Sequence, residues 1–253
     1  MNAFHHTLDQ LSELKLNGVK TALIQQMEIP SFSTMTFEER LSHLIAREIT
    51  ERHNRKIKYL LSRSQLKQKS AFVDDIDYSA TRNIHKSVLL ALLDNNWIQA
   101  RHNIIITGAT GTGKTYLACA LGNNAIVNGY SVLYCRVTKL LTQIQLVRGD
   151  GSYLSWLAKL AKFKVLILDD FGSCPLKVQD VQELLEVIEE RSLTGSIIIT
   201  SQLDVKNWHD YLTEPTVADA ILDRLVHNSH RFNLKGESMR ILKNTLSNSD
   251  TLG

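Results

Sequence analysis

The hydrophobic positions of this chain follow one rhythm near its start and another further on. Up to about residue 75 they recur at helical spacing, as in Leu8, Leu11, Leu14, Leu16, Val19, Leu23 and Ile24. Pro30, Ser31 and Ser33 break that rhythm. Thr36 with Glu39 three positions on is a capping-box pair, which predicts a new helix carrying Leu41, Leu44, Ile45 and Ile49. Beyond Lys86 short runs rich in apolar and β-branched residues take over, Ile104–Thr107, Ser131–Val137, Lys164–Asp170 and Ser196–Ser201, with the shorter Arg231–Leu234 read as a fifth strand. Helical patterns lie between them. Nearly continuous apolar runs alternating with helices predict a parallel sheet buried on both faces. The expected architecture is therefore α/β over residues 76–253, with five parallel strands flanked by helices. A small all-helical domain precedes it over 1–75, and the acidic stretch Asp74–Tyr78 reads as a linker.

The junction after the first run carries chemistry. Gly108, Ala109, Thr110, Gly111, Thr112, Gly113, Lys114 and Thr115 spell G-x-x-x-x-G-K-T between a strand and a helix that stops near Gly129. Glycines there let the backbone approach an anion, and amides at a helix N-terminus present partial positive charge to it. A nucleoside triphosphate is the predicted ligand. Lys114 is expected to reach the β- and γ-phosphates, Thr115 to ligate Mg²⁺, and Tyr116 to adjoin the bound nucleotide.

Three other strand ends fit that ligand. Asp169 and Asp170 close the third run, where carboxylates of a parallel sheet face the binding crevice. Asp169 is expected in the Mg²⁺ shell, and Asp170 to orient or activate the attacking water. Gln202, with Thr200 and Ser201 as alternates, is the candidate sensor of the γ-phosphate. Arg224 suits an arginine finger supplied to a neighbouring subunit, and Arg240 could reach the phosphates within its own chain.

Charge sharpens the reading of the helical part. The whole chain has a formal net charge of +3. Between Arg47 and Lys69, however, eight basic residues face two acids. Arg47, Arg52, Arg55, Lys56, Lys58 and Arg63 are candidate DNA-phosphate contacts. Lys139 and Arg148 are further candidates on a helical pair after the second strand, which could project into a ring pore. The three cysteines, Cys119, Cys135 and Cys174, form no C-x-x-C pair and imply neither zinc nor a disulfide framework. No run approaches the roughly 18 apolar residues that span a bilayer, and the start lacks a signal pattern. A cytoplasmic protein without a membrane partner is expected.

Taken together, these motifs resemble the IstB-type transposition helper ATPases of bacterial insertion sequences, AAA+ proteins related to DnaC and DnaA. The carrying residues include Leu14–Gly18, Thr36–Leu41, the loop 108–115, Gly129–Tyr134, Leu168–Gly172, Ile199–Leu203, Asp219–His227 and Gly236–Arg240. The resemblance implies a P-loop AAA+ core that binds and hydrolyses ATP with Mg²⁺, Arg224 as the finger and Arg240 at the sensor II position. It further implies assembly as a homo-oligomer, ring or helical, on double-stranded DNA. The implied partner is a cognate DDE-type transposase, at the bacterial nucleoid. A DnaC-like helicase loader that binds single strands is the alternative, and it would need an apolar partner-facing patch on the helical part.

Overall fold

Residues 3–79 and 82–239 are described here from a computed structural model. The chain divides into two compact units, Met1–Tyr59 and Leu60–Gly253. The boundary expected at residue 75 thus falls instead between Tyr59 and Leu60. The reason is packing: Leu66, Ala71 and Val73 are buried in the second unit, and the carbonyl of Ser64 accepts the Tyr134 N–H at 2.8 Å. The Asn123 side chain also donates to the Lys69 and Ala71 carbonyls at 3.0 and 2.8 Å. What reads as a linker is a strap of the α/β unit.

The first unit is helical. It comprises α1 (Ala3–Glu13), α2 (Asn17–Glu28) and most of α3 (Phe37–Arg63). The apolar series from Leu8 to Ile24 is thereby split, because Lys15 takes a positive φ of 58° and ends the first helix. Thr36 and Glu39 form the expected capping box, with Thr36 N–H donating to the Glu39 carboxylate at 2.8 Å and Glu39 N–H to Thr36 Oγ1 at 3.3 Å. Only a few side chains of this unit are buried. The close approach of α2 and α3 depends on Gly18, where a Cβ would lie 2.6 Å from the Glu48 Cα. The buried Glu48 carboxylate accepts the N–H groups of Gly18 and Val19 at 2.7 and 3.2 Å. It thereby caps α2, whose first amides have no partner within the helix.

The second unit is the expected sandwich. Helices α4 (Lys86–Ala91) and α5 (Asn96–Gln99) lead into β1 (Asn103–Gly108), then α6 (Lys114–Val127), β2 (Val132–Arg136), α7 (Val137–Gly149), α8 (Tyr153–Ala161) and β3 (Val165–Phe171). There follow α9 (Val178–Thr194), β4 (Ser196–Ser201), α10 (Trp208–Leu212), α11 (Pro215–Val226) and β5 (Ser229–Leu234). All five strands are parallel, in the order β2-β3-β4-β1-β5. Ile104, Ile105, Ile106, Leu166, Ile167, Ile198 and Ile199 are wholly buried, as two-sided coverage of the central strands requires. One buried cation braces the edge of this core. Arg191 donates to the carbonyls of Leu160, Phe163, Lys164 and Ser196, and burial lowers its pKa to about 10.

Glu48 gives a direct test of the helical unit. The hydrogen bond from Arg52, above all, holds its carboxyl below the ordinary glutamate range, with the α2 amides helping. Its stabilising contribution is therefore complete above about pH 4.5 and fades as pH falls through the lower folded value. Glu48→Gln should cost about 2 kcal/mol at neutral pH. Thermal unfolding followed by circular dichroism from pH 3 to pH 7 should show the variant and wild type converging at the acidic end.

Candidate functional site

Four strand ends and one loop converge at the carboxyl edge of the sheet. The loop Gly108–Gly113 leaves β1 and enters α6. Gly113 has φ 95°, a left-handed conformation that favours glycine. At Gly108 a Cβ would stand 2.4 Å from the Leu234 carbonyl oxygen, so β5 and the loop can pack this closely only without a side chain. Lys114 folds back over the loop and donates to the carbonyls of Gly108 and Ala109, both at 2.8 Å. The loop borders a cleft of about 660 Å³, within the range that holds a nucleotide-sized ligand. Thr110 to Tyr116, Lys67, Arg82, Arg136, Asp170 and Gln202 are among its walls.

Asp169 is the centre of the site. It is fully buried, and hydroxyl groups from three elements donate to it. Thr115 Oγ1 and Thr200 Oγ1 reach Oδ1 at 2.9 and 2.5 Å, and Tyr134 Oη reaches Oδ2 at 2.5 Å. Lys67 Nζ stands 3.8 Å from Oδ2. Burial drives the Tyr134 hydroxyl far above its ordinary pKa and the carboxylate adds to this, so it acts as a permanent donor.

Asp170 is aimed elsewhere. The β3–β4 register slips between Leu168 and Phe171, and Asp170 adopts φ 61°. A bulge of this kind re-aims a side chain that strand alternation would otherwise place. Asp170 lines the cleft, where Arg136 Nε lies 3.3 Å from its Oδ2. Its own N–H donates to Thr200 Oγ1 at 3.1 Å. Gln202 Oε1 accepts the Thr110 hydroxyl at 2.8 Å, which ties the end of β4 to the loop.

The structure thus brings together Lys114, Thr115, Asp169, Asp170 and Gln202. Tyr116 is also at the cleft, but its hydroxyl is committed to the strap: it accepts the Phe72 N–H at 3.3 Å and pairs with Asp75 at 3.2 Å. Arg224 is not among the cleft-lining residues described. It sits in the last turn of α11 and donates to Glu189 Oε1 at 2.7 Å and the Ala220 carbonyl at 2.9 Å. Arg240 lies outside the described residues. Lys139 is exposed on α7. Arg148 departs from the expected open cation: it is bound to Glu183 and Glu186 at 3.4 and 2.7 Å, and its guanidinium lies 3.9 Å from the centroid of the Tyr153 ring.

Sequence reasoning missed Lys67, Arg82, Tyr134 and Arg136. Arg82 is buried, with Nη1 donating to the Thr112 carbonyl at 3.3 Å and Nη2 meeting the Met239 sulfur. Only Tyr134 carried a signal, as a polar-tipped aromatic inside a buried strand.

Comparison with known proteins agrees with this geometry. The family described as IstB-like ATP binding protein matches residues 9–247. The chain belongs to that family. Among its relatives is the insertion sequence ATP-binding protein y4pL of Sinorhizobium fredii, 42% identical over 236 residues, 93% of this chain and 96% of that protein. The fold is shared with the crystal structure of the DnaC helicase loader, at TM-score 0.55 and 20% identity over 65% of this chain and 97% of that one. It is shared also with the replication initiator DnaA bound to AMPPCP and single-stranded DNA, at TM-score 0.59 and 21% identity, covering 73% and 56%. This chain is therefore a member of an ATP-binding family, on a fold shared with DnaC and DnaA. No helix among the described residues is long and apolar enough to cross a membrane.

The Asp169 cluster predicts a separable effect. Tyr134→Phe removes one donor and no packing, so it should cost about 1 kcal/mol of stability. Turnover should nevertheless fall about tenfold, because the carboxylate loses its orientation. Thermal unfolding alongside a phosphate-release assay checks both.

Proposed function

We propose that this chain is the ATP-dependent DNA-binding helper of a DDE-type transposase. In its ATP state it would oligomerise on double-stranded target DNA, as a ring or a helical assembly, and recruit or activate its cognate transposase. It would act in the bacterial cytoplasm, at the nucleoid. The observation that carries this reading is the exposed basic row of α3 in a member of an ATP-binding insertion-sequence family. Arg47, Arg52, Arg55, Lys56 and Lys58 are all exposed there. Arg55 leans on Glu51 at 3.9 Å, a surface pair that a phosphate can displace at small cost, whereas Arg52 is held to the buried Glu48 at 2.7 Å. Arg63 lies within 5.7 Å of the Phe163 ring centroid, also exposed. Such contacts give affinity and salt dependence without reading sequence.

In the cleft, Lys114 would turn from its loop carbonyls to the β- and γ-phosphates. The donor set also fits a small hard cation: a hydroxyl and a carboxylate 2.9 Å apart, Thr115 and Asp169, facing the phosphate loop. Magnesium, when bound with the triphosphate, would neutralise phosphate charge there. Asp170 would hold the attacking water once released from Arg136. Gln202, fastened to Thr110, would report the filled loop to β4. Arg224 would leave Glu189 to stabilise the transition state in a neighbouring protomer.

One observation favours a docked protein as well. Phe37, Leu41, Ile45 and Ile49 form a row at four-residue spacing on α3 and are exposed, Phe37 by 73%. This is the apolar patch that a helicase loader needs, and it would equally serve a transposase.

Sizing and gel shifts with duplex and single-stranded DNA, each with and without a non-hydrolysable ATP analogue, test the reading. Large ATP-dependent complexes on duplex are expected. A monomer at saturating Mg·ATP and plasmid, or capture of single strands together with the replicative helicase, would refute it. Lys114→Ala should abolish assembly. Changing Arg52, Arg55, Lys56 and Lys58 to Ala together should flatten the salt dependence by about one unit of slope per lost phosphate contact. Arg224→Ala should keep DNA binding yet lose on the order of 10³ in turnover, with partial rescue in mixed oligomers.

A further inference from the structure

The hydrogen-bonding capacity of Asp169 is well used before any ligand arrives. Thr115, Thr200 and Tyr134 supply three hydroxyl donors. Lys67 therefore adds charge rather than a needed hydrogen bond: its ammonium stands 3.8 Å from Oδ2 of a carboxylate with no exposed surface. Buried from solvent on one side, such a pair is screened far less than a surface ion pair.

Lys67 is also firmly mounted. On one side Leu66 is buried and the Ser64 carbonyl is bonded to β2. On the other, Asn123 of α6 holds the carbonyls of Lys69 and Ala71. The strap so fixed carries Lys67 along the cleft wall, with one third of its side chain exposed. Lys114 meanwhile is bonded to the loop carbonyls. Two lysines approach the cleft from different elements, one toward the phosphates and the other toward the carboxylate.

We infer that Lys67 is a built-in counter-charge to Asp169, which an incoming divalent cation must oppose, so that Lys67 sets the magnesium concentration at which the chain holds ATP. The inference rests on the reading of the cleft as the Mg·ATP site. A fixed positive charge a few ångströms from the cation's place weakens its binding. Removing that charge strengthens it, because the three hydroxyl donors still hold the carboxylate in place.

The test is binding of a fluorescent, non-hydrolysable ATP analogue by the full chain, first in EDTA and then across a magnesium series. Lys67→Met should reach half-saturation at about three- to tenfold lower magnesium than wild type. Lys67→Arg, which keeps the charge, should follow wild type. An unchanged magnesium requirement in Lys67→Met would overturn the inference. So would an equal loss of affinity with and without metal, which would make Lys67 a phosphate ligand or a purely structural residue. If wild type bound the analogue no better than Lys114→Ala, the Mg·ATP reading itself would fall, and the inference with it.

Discussion

A single buried carboxylate organises the nucleotide end of this protein. Asp169 gathers a hydroxyl from the loop helix, one from β2 and one from β4, so three separately folded elements must be in place together to satisfy it. An unsatisfied carboxylate in that position would cost far more than any one of these bonds contributes. The cluster therefore acts as a check on the sheet. The register of β2 against β3 and of β3 against β4 brings Tyr134 and Thr200 to the same oxygen pair, and a slip in either would strand the charge.

The adjacent residue shows how the fold obtains two roles from two consecutive aspartates. Strand alternation alone would send one inward and the other to the opposite face. The register shift at Leu168/Phe171 and the left-handed backbone of Asp170 turn its carboxylate into the cleft. A non-glycine residue held at positive φ costs of order 1 kcal/mol or more and persists where the surroundings over-determine it. Here the Thr200 hydroxyl does so by bonding both the Asp169 carboxylate and the Asp170 amide. One threonine thus fixes the buried acid and the aim of its exposed neighbour. Sequence reasoning could name it only as an alternate sensor.

Much of this architecture is legible in the sequence. The five strands occupy the runs expected, since β1, β3 and β4 are covered on both faces and must be largely apolar, while β5 at the sheet edge keeps only Phe232 and Leu234 buried. The loop, Asp169, Asp170 and Gln202 converge as their places at strand ends implied. What could not be read was long-range and polar. The acidic stretch Asp74–Tyr78 reads as a linker, yet the segment leading into it is bonded through its backbone, from Ser64 to Phe72, to β2 and α6 across more than 40 positions. Lys67 and Arg136 were indistinguishable from surface cations until their carboxylate partners were placed beside them. Arg148 shows the same limit: it reads as an available cation, and the structure sets two glutamates of α9 and the ring of Tyr153 against it.

The two units are stabilised in contrasting ways. The α/β unit draws on a large apolar interior, so its polar site can be exacting without jeopardising the fold. The helical unit buries very little. A backbone approach at Gly18 and a charged cap from Glu48 take the place of a core there. With few apolar side chains consumed inside, α3 leaves a row of them outside, from Phe37 to Ile49, followed along the same helix by the cations from Arg52 to Arg63. Exposed apolar rows of that length are costly to solvate and are characteristic of surfaces that meet a partner. A helix that is apolar for its first turns and basic for its last suits simultaneous contact with a protein and with a phosphate backbone. Under the proposed function the weakness of the helical core follows from what this unit must present to its partners, because the side chains that would have filled the interior are the ones needed on the surface.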